Sequence, residues 1–131
     1  MDSGVLLELI EGTPKGASLV DPIRTLKMVP HVSPVNLAEA GYIVCRKLGR
    51  AAARASIDFL LGSGYLVVED DLSVHMAASE IKCARSLSLG DCYTFAVARL
   101  TGSPALFATH EKELVEEMRK RPFEERILFL D

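Results

Sequence analysis

Four carboxylates, Asp2, Glu39, Asp91 and Glu111, are the side chains best placed to do chemistry. Three of them also have an ordinary structural reading. Asp2 precedes the apolar run Val5 to Ile10, so its side chain can cap a helix start. Asp91 stands three residues after Ser88, the spacing of a capping box. Glu111 follows the cap candidate Thr109 by two residues, where the helix dipole favours an anion. Glu39 resists this reading. It is the one formally charged residue between Met28 and Cys45, and it falls beyond the capping turn of its helix. The neighbouring turns present Val35, Ala38, Tyr42 and Ile43. An unpaired carboxylate on such a face costs several kcal/mol to bury, so it needs an Arg, a proton or a metal ion.

Each acid lies at or near the N-terminal end of a different helix. A doubly wound α/β topology brings such ends to one edge of a parallel sheet, where ligands bind. Clustered carboxylates repel unless cations neutralise them, and hard oxygen donors suit Mg²⁺ or Mn²⁺. Such ions can activate water and clamp a phosphodiester.

The elements that must position these acids follow from periodicity and punctuation. A first helix over Val5 to Ile10 stops at Gly12. A second is expected over Leu19 to Leu26, with Pro22 in its first turn and Thr13 to Ala17 as the preceding turn. A strand over Met28 to Val32 leads to Ser33-Pro34, a helix start, and that helix runs to about Leu48 before Gly49. Arg50 to Leu61 completes a helical hairpin. Tyr65 to Val68 reads as a short buried strand. Asp70 or Asp71 then caps a helix running to about Arg85. Helix Ser88 to Leu100, strand Ala105 to Ala108, a helix from about His110 to Arg121 and strand Arg126 to Leu130 follow. Strands separated by helices or helix pairs predict one parallel sheet covered on both faces, in a single domain over residues 1–131.

Composition narrows the function class. The chain is 49% apolar and 25% charged, with a net charge of −3. That balance argues against nonspecific coating of nucleic acid, which needs many Lys and Arg contacts. The basic clusters Arg46-Lys47-Arg50-Arg54 and Arg119-Lys120-Arg121 read as solvated helix surface. Cys45, Cys83 and Cys92 lack CxxC spacing, and the three histidines lack ligand spacing to them. Reduced thiols in a cytoplasmic protein without a zinc site are expected. No secretory signal or membrane span is read.

Four segments together resemble the PIN-domain ribonucleases, in particular the toxins of VapBC-type toxin–antitoxin pairs. They are Asp2-Ser3-Gly4-Val5-Leu6-Leu7-Glu8-Leu9, Ser33-Pro34-Val35-Asn36-Leu37-Ala38-Glu39, Leu87-Ser88-Leu89-Gly90-Asp91-Cys92 with Ala96 and Ala98, and Leu106-Phe107-Ala108-Thr109-His110-Glu111-Lys112-Glu113-Leu114. The resemblance implies an α/β/α sandwich around a short parallel sheet and metal-dependent cleavage of single-stranded RNA. It implies that Asp2, Glu39, Asp91 and Glu111 hold Mg²⁺ or Mn²⁺, with Ser3 and Thr109 supporting through their hydroxyls. It also implies a homodimer and an antitoxin partner. Two departures stand out: Glu111 replaces the usual Asp, and only Met1 precedes Asp2 where the family has its central strand. A truncated first strand is therefore expected, with the natural chain beginning upstream. Two other functions compete: a catalytically weak or inactive PIN-like module that binds RNA or protein, and a phosphoacceptor receiver domain. The receiver reading ranks lower, because the acids Glu69-Asp70-Asp71 come in the wrong order for it.

Overall fold

The structure, a computed structural model, describes all residues 1–131. Its helices begin where side chains can accept from free backbone N–H groups. Asp2 caps α1 (Ser3–Glu11) by accepting from the Gly4 N–H at 3.3 Å, and Gly12 ends it at φ 66°. Thr13 caps α2 (Pro14–Arg24), with Pro14 at the first helical position. The second helix thus starts five residues before Leu19, and Pro22 lies inside it rather than in its first turn. The expected turn over Thr13 to Ala17 is itself a cap-plus-proline start. α1 and α2 pack so closely that a Cβ on Gly16 would stand 2.1 Å from the Glu8 carbonyl oxygen.

β1 (His31–Val32) feeds α3 (Pro34–Leu48), which Ser33 caps, and α4 (Arg50–Gly62) folds back along it. β2 (Val67–Val68) leads to α5 (Leu72–Ala84), and α6 (Leu89–Thr101) is capped by Ser88 and closed by Gly102. β3 (Ala105–Phe107), α7 (Lys112–Lys120) and β4 (Ile127–Phe129) complete the chain. No helix is long and apolar enough to cross a membrane.

The strands pair in parallel, β1 with β2 and β3 with β4, as two separate ladders rather than one sheet. Met1 and Asp2 bridge them. The Met1 ammonium donates to the His31 carbonyl at 2.9 Å, and the Asp2 N–H donates to the Leu106 carbonyl at 3.0 Å. Each makes a single backbone contact across rather than a ladder, so the expected continuous sheet is interrupted here. Next to Met1, a slot of about 320 Å³ separates Met28–His31 from Ser103–Leu106. Burial pulls the Met1 amine down to about 6, against the opposing charge of Asp2.

β3 divides two apolar cores by strand alternation. Ala105 and Phe107 face Val74, Ile81, Phe95 and Leu114. Leu106 and Ala108 face Val5, Leu6, Leu19, Val32 and Leu60. Helices therefore cover both faces of the strands, an α/β/α arrangement. β2 departs from expectation: Val67 and Val68 are each 40% exposed, because β2 has β1 on one side only and little packed over it.

Candidate active site

Within each ladder the strands run parallel, and the acids that stand at the helix starts lie close enough to feel one another's charge. Asp2 occupies the N-cap of α1, Asp91 the first turn of α6, and Glu111 the N-cap of α7. Asp2 and Asp91 are buried, Glu39 is half-buried, and Glu111 is exposed. Ser88 Oγ accepts from the Asp91 N–H at 3.2 Å, which holds Asp91 where the chain enters α6. Glu111 caps α7 without using its carboxylate, leaving that group free. The expected α7 start at His110 is thus two residues early. Thr109 is exposed and contributes its carbonyl, which accepts from the Glu111 N–H at 3.1 Å. Ser3 is buried at the first position of α1.

Glu39 lies against α6. An added Cβ on Gly90 would stand 1.9 Å from Glu39 Oε1 and 2.7 Å from its Cδ, so only glycine leaves room for this carboxylate. Glu39 Oε1 is buried and has no hydrogen-bond partner. A buried carboxylate oxygen without a partner is strongly disfavoured unless something else satisfies it.

The four acids feel one another's charge. Burial pushes the Asp91 carboxyl up to about 7, helped by the charges of Asp2, Glu111 and Glu39. Glu39 is raised by burial and then by Asp2 and Glu111. Partial desolvation raises Glu111, followed by Asp2 and Glu113. Burial raises Asp2 as well, offset in part by the backbone N–H groups of Gly4 and Ser3 and by the Thr94 hydroxyl. As the side chains stand, no three His, Cys, Asp or Glu groups close on a point that could hold an ion. Uncompensated like charges favour such separation. The donor set nonetheless fits a hard divalent cation: all-oxygen ligands, mutual repulsion, and one buried oxygen left unsatisfied.

A polar hub beneath the acids escaped the sequence reading. Asn36 is fully buried. Its Oδ1 accepts from Ser33 Oγ at 2.7 Å, and its Nδ2 donates to the Gly90 carbonyl at 3.2 Å and to Thr94 Oγ1 at 3.1 Å. The one hydrogen of Thr94 Oγ1 in turn has two acceptors in reach, the Gly90 carbonyl at 3.2 Å and Asp2 Oδ1 at 3.5 Å. This chain of contacts ties α3 to α6 and to Asp2. Its signal was present: Asn36 lies three residues before Glu39, on the same helical side, and is polar in an apolar stretch. A second brace holds the β3–α7 loop. Asp131 accepts from the His110 N–H at 3.2 Å and pairs with His110 Nδ1 at 2.6 Å, while the His110 ring stacks on Phe129 at 3.6 Å.

Helices on both faces of short parallel strands, with carboxylates gathered where helices begin, define an α/β fold with an acidic site at a strand-end edge. The PIN-domain family profile matches residues 1–117, and the chain belongs to that family. Among solved structures, the chain is similar in fold to the VapC20 toxin of Mycobacterium tuberculosis, a sarcin–ricin-loop-cleaving toxin. The TM-score is 0.64 at 20% identity, over 88% of this chain and 91% of that one. No curated protein matches.

Proposed function

We propose that the chain is a Mg²⁺- or Mn²⁺-dependent endoribonuclease that cleaves single-stranded RNA, and the toxin of a toxin–antitoxin pair. The observation that carries this reading is Glu39 Oε1, buried and partnerless beside three other carboxylates. Asp2, Glu39 and Asp91 would hold the ion, with Glu111 at the exposed rim. A divalent cation there supplies charge neutralisation and Lewis acidity toward a phosphodiester.

The chain's own groups keep that site in place. Thr94 orients Asp2, Ser88 fixes the backbone at Asp91, and Asn36 holds the helix carrying Glu39 against α6. The free N–H groups at the starts of α6 and α7 favour a phosphate nearby. Ser3 and Thr109 supply hydroxyls at the edges of the site. The structural relative is a toxin that cleaves an RNA loop, and this supports RNA as the substrate class here. Single-domain organisation, a cytoplasmic location, a homodimer and a bound antitoxin belong to the same reading.

The test is cleavage of a mixed RNA pool with and without Mn²⁺, using Asp91→Asn as the control. Cleavage that needs Mn²⁺ and disappears in Asp91→Asn is expected. Equal cleavage by the variant would overturn the assignment. The exposed Glu111 keeps a non-catalytic binding module as the second reading, and RNA binding without cleavage would favour it.

A further inference from the structure

The acidic site leaves an electrostatic problem for a polyanionic substrate. Four carboxylates gather at one edge of a chain with net charge −3. Whatever holds the RNA strand beside them must supply contact and positive charge close by. α3 provides both. Its core-facing side carries Leu37, Ala40 and Val44, all buried. Glu39, Tyr42, Ile43 and Arg46 follow at helical spacing along a different stripe. At about 1.5 Å of rise per residue, Tyr42 lies about 4.5 Å and Arg46 about 10 Å along the axis from Glu39.

We infer that Tyr42 and Arg46 form a nucleobase platform, on which a base of the RNA strand next to the cleaved phosphodiester stacks. The inference rests on the reading above that RNA is the substrate. Tyr42 is 47% exposed, a large aromatic surface left open beside the site. The Arg46 guanidinium carbon stands over the Tyr42 ring, 4.9 Å from its centroid, so the two side chains form a cation–π pair that puts a positive charge beside the aromatic surface. Lys47 pairs with Glu11 and Arg54 with Asp58, whereas Arg46 has no acidic partner. Its charge is free for a phosphate. Aromatic rings and Arg planes hold single-stranded nucleic acid by stacking with little regard to sequence. This surface is built for a splayed-out base rather than for a duplex.

The test uses a short single-stranded RNA carrying 2-aminopurine, titrated with the full chain in EDTA so that binding is read without turnover. Wild type is expected to bind and quench the probe. Tyr42→Ala should weaken binding by about tenfold or more, as loss of one stacked base does. Tyr42→Phe should restore it, because stacking needs the ring and not the hydroxyl. Arg46→Ala should lower the salt slope of log K by about 0.7, the loss of one phosphate contact. Both side chains are exposed, and unchanged melting curves would exclude a folding defect. In Mn²⁺, Tyr42→Ala should raise KM for RNA cleavage with kcat nearly unchanged. Wild-type affinity in both alanine variants, equal weakness of Tyr42→Phe and Tyr42→Ala, or no RNA binding by wild type would overturn the platform. A chain that binds through Tyr42 yet never cleaves would overturn the nuclease reading and leave the platform standing. Cleavage with an unaltered KM in Tyr42→Ala would do the reverse.

Discussion

The sharpest consequence of the acid cluster is the pH dependence of stability in the ion-free chain. The Asp91 carboxyl, pushed up to about 7 by burial and then by its neighbours' charge, has an ordinary value of 3.8. Between those values the folded chain holds a proton that the unfolded chain has released. Folding stability then falls as pH rises, by about 1.4 kcal/mol for each pH unit. From pH 4 to 5.5 the loss attributable to Asp91 is about 2 kcal/mol. That window ends before the Met1 amine, lowered to about 6, begins to contribute with the opposite sign. Urea unfolding in EDTA measures the slope directly. Asp91→Asn should make the slope shallower, with the falls of the same sign from Asp2, Glu39 and Glu111 remaining. At pH 7, Mn²⁺ should stabilise wild type, by about 2.7 kcal/mol at a hundred times its Kd. The same addition should do little for Asp91→Asn. Parallel pH curves for the two proteins between pH 4 and 5.5 would refute the electrostatic argument.

Three further outcomes follow from the site. Gly90→Ala puts a methyl group where Glu39 Oε1 now lies, so Glu39 must swing away. Alanine is a better helix former than glycine, so the variant should melt no lower than wild type while Mn²⁺-dependent cleavage falls; full activity would show that Glu39 is dispensable. Asn36→Ala removes three buried hydrogen bonds, to Ser33 Oγ, the Gly90 carbonyl and Thr94 Oγ1, and urea unfolding should show a loss of about 2 kcal/mol. Glu111→Gln should reduce cleavage less than Asp91→Asn, because Glu111 sits at the exposed rim; equal losses in the same assay would place it among the ion's close ligands.

Much of the fold was legible because its punctuation is local. Ser33, Ser88 and Asp2 cap their helices by hydrogen bonds to residues two or three positions on, and Gly12 and Gly102 end theirs at positive φ. Thr13-Pro14 is of the same kind, a cap-plus-proline start that resembles a turn in sequence. The strands were harder. A two-residue strand such as Val67–Val68 has no period to read, and its exposure depends on which neighbours it finds. The break between the two ladders is not a property of any strand. It depends on Met1 and Asp2 reaching across to His31 and Leu106.

At the site, the acids were legible and their supports were not. Glu39 could be singled out from its own segment, since a charge on an apolar face must be explained by something. Gly90 is the opposite case. Within Ser88-Leu89-Gly90-Asp91 it looks like part of a helix start, and in the first turn of α6 it even weakens the helix relative to alanine. Its reason lies in α3, whose Asn36 and Glu39 both come against it: Asn36 takes its carbonyl, and the Glu39 carboxylate fills the space a Cβ would need. A glycine that costs helix stability at the point where a partnerless carboxylate arrives makes physical sense when the carboxylate is needed there. Gly90 and Glu39 are therefore one feature split between two helices, and neither can be read fully without the other.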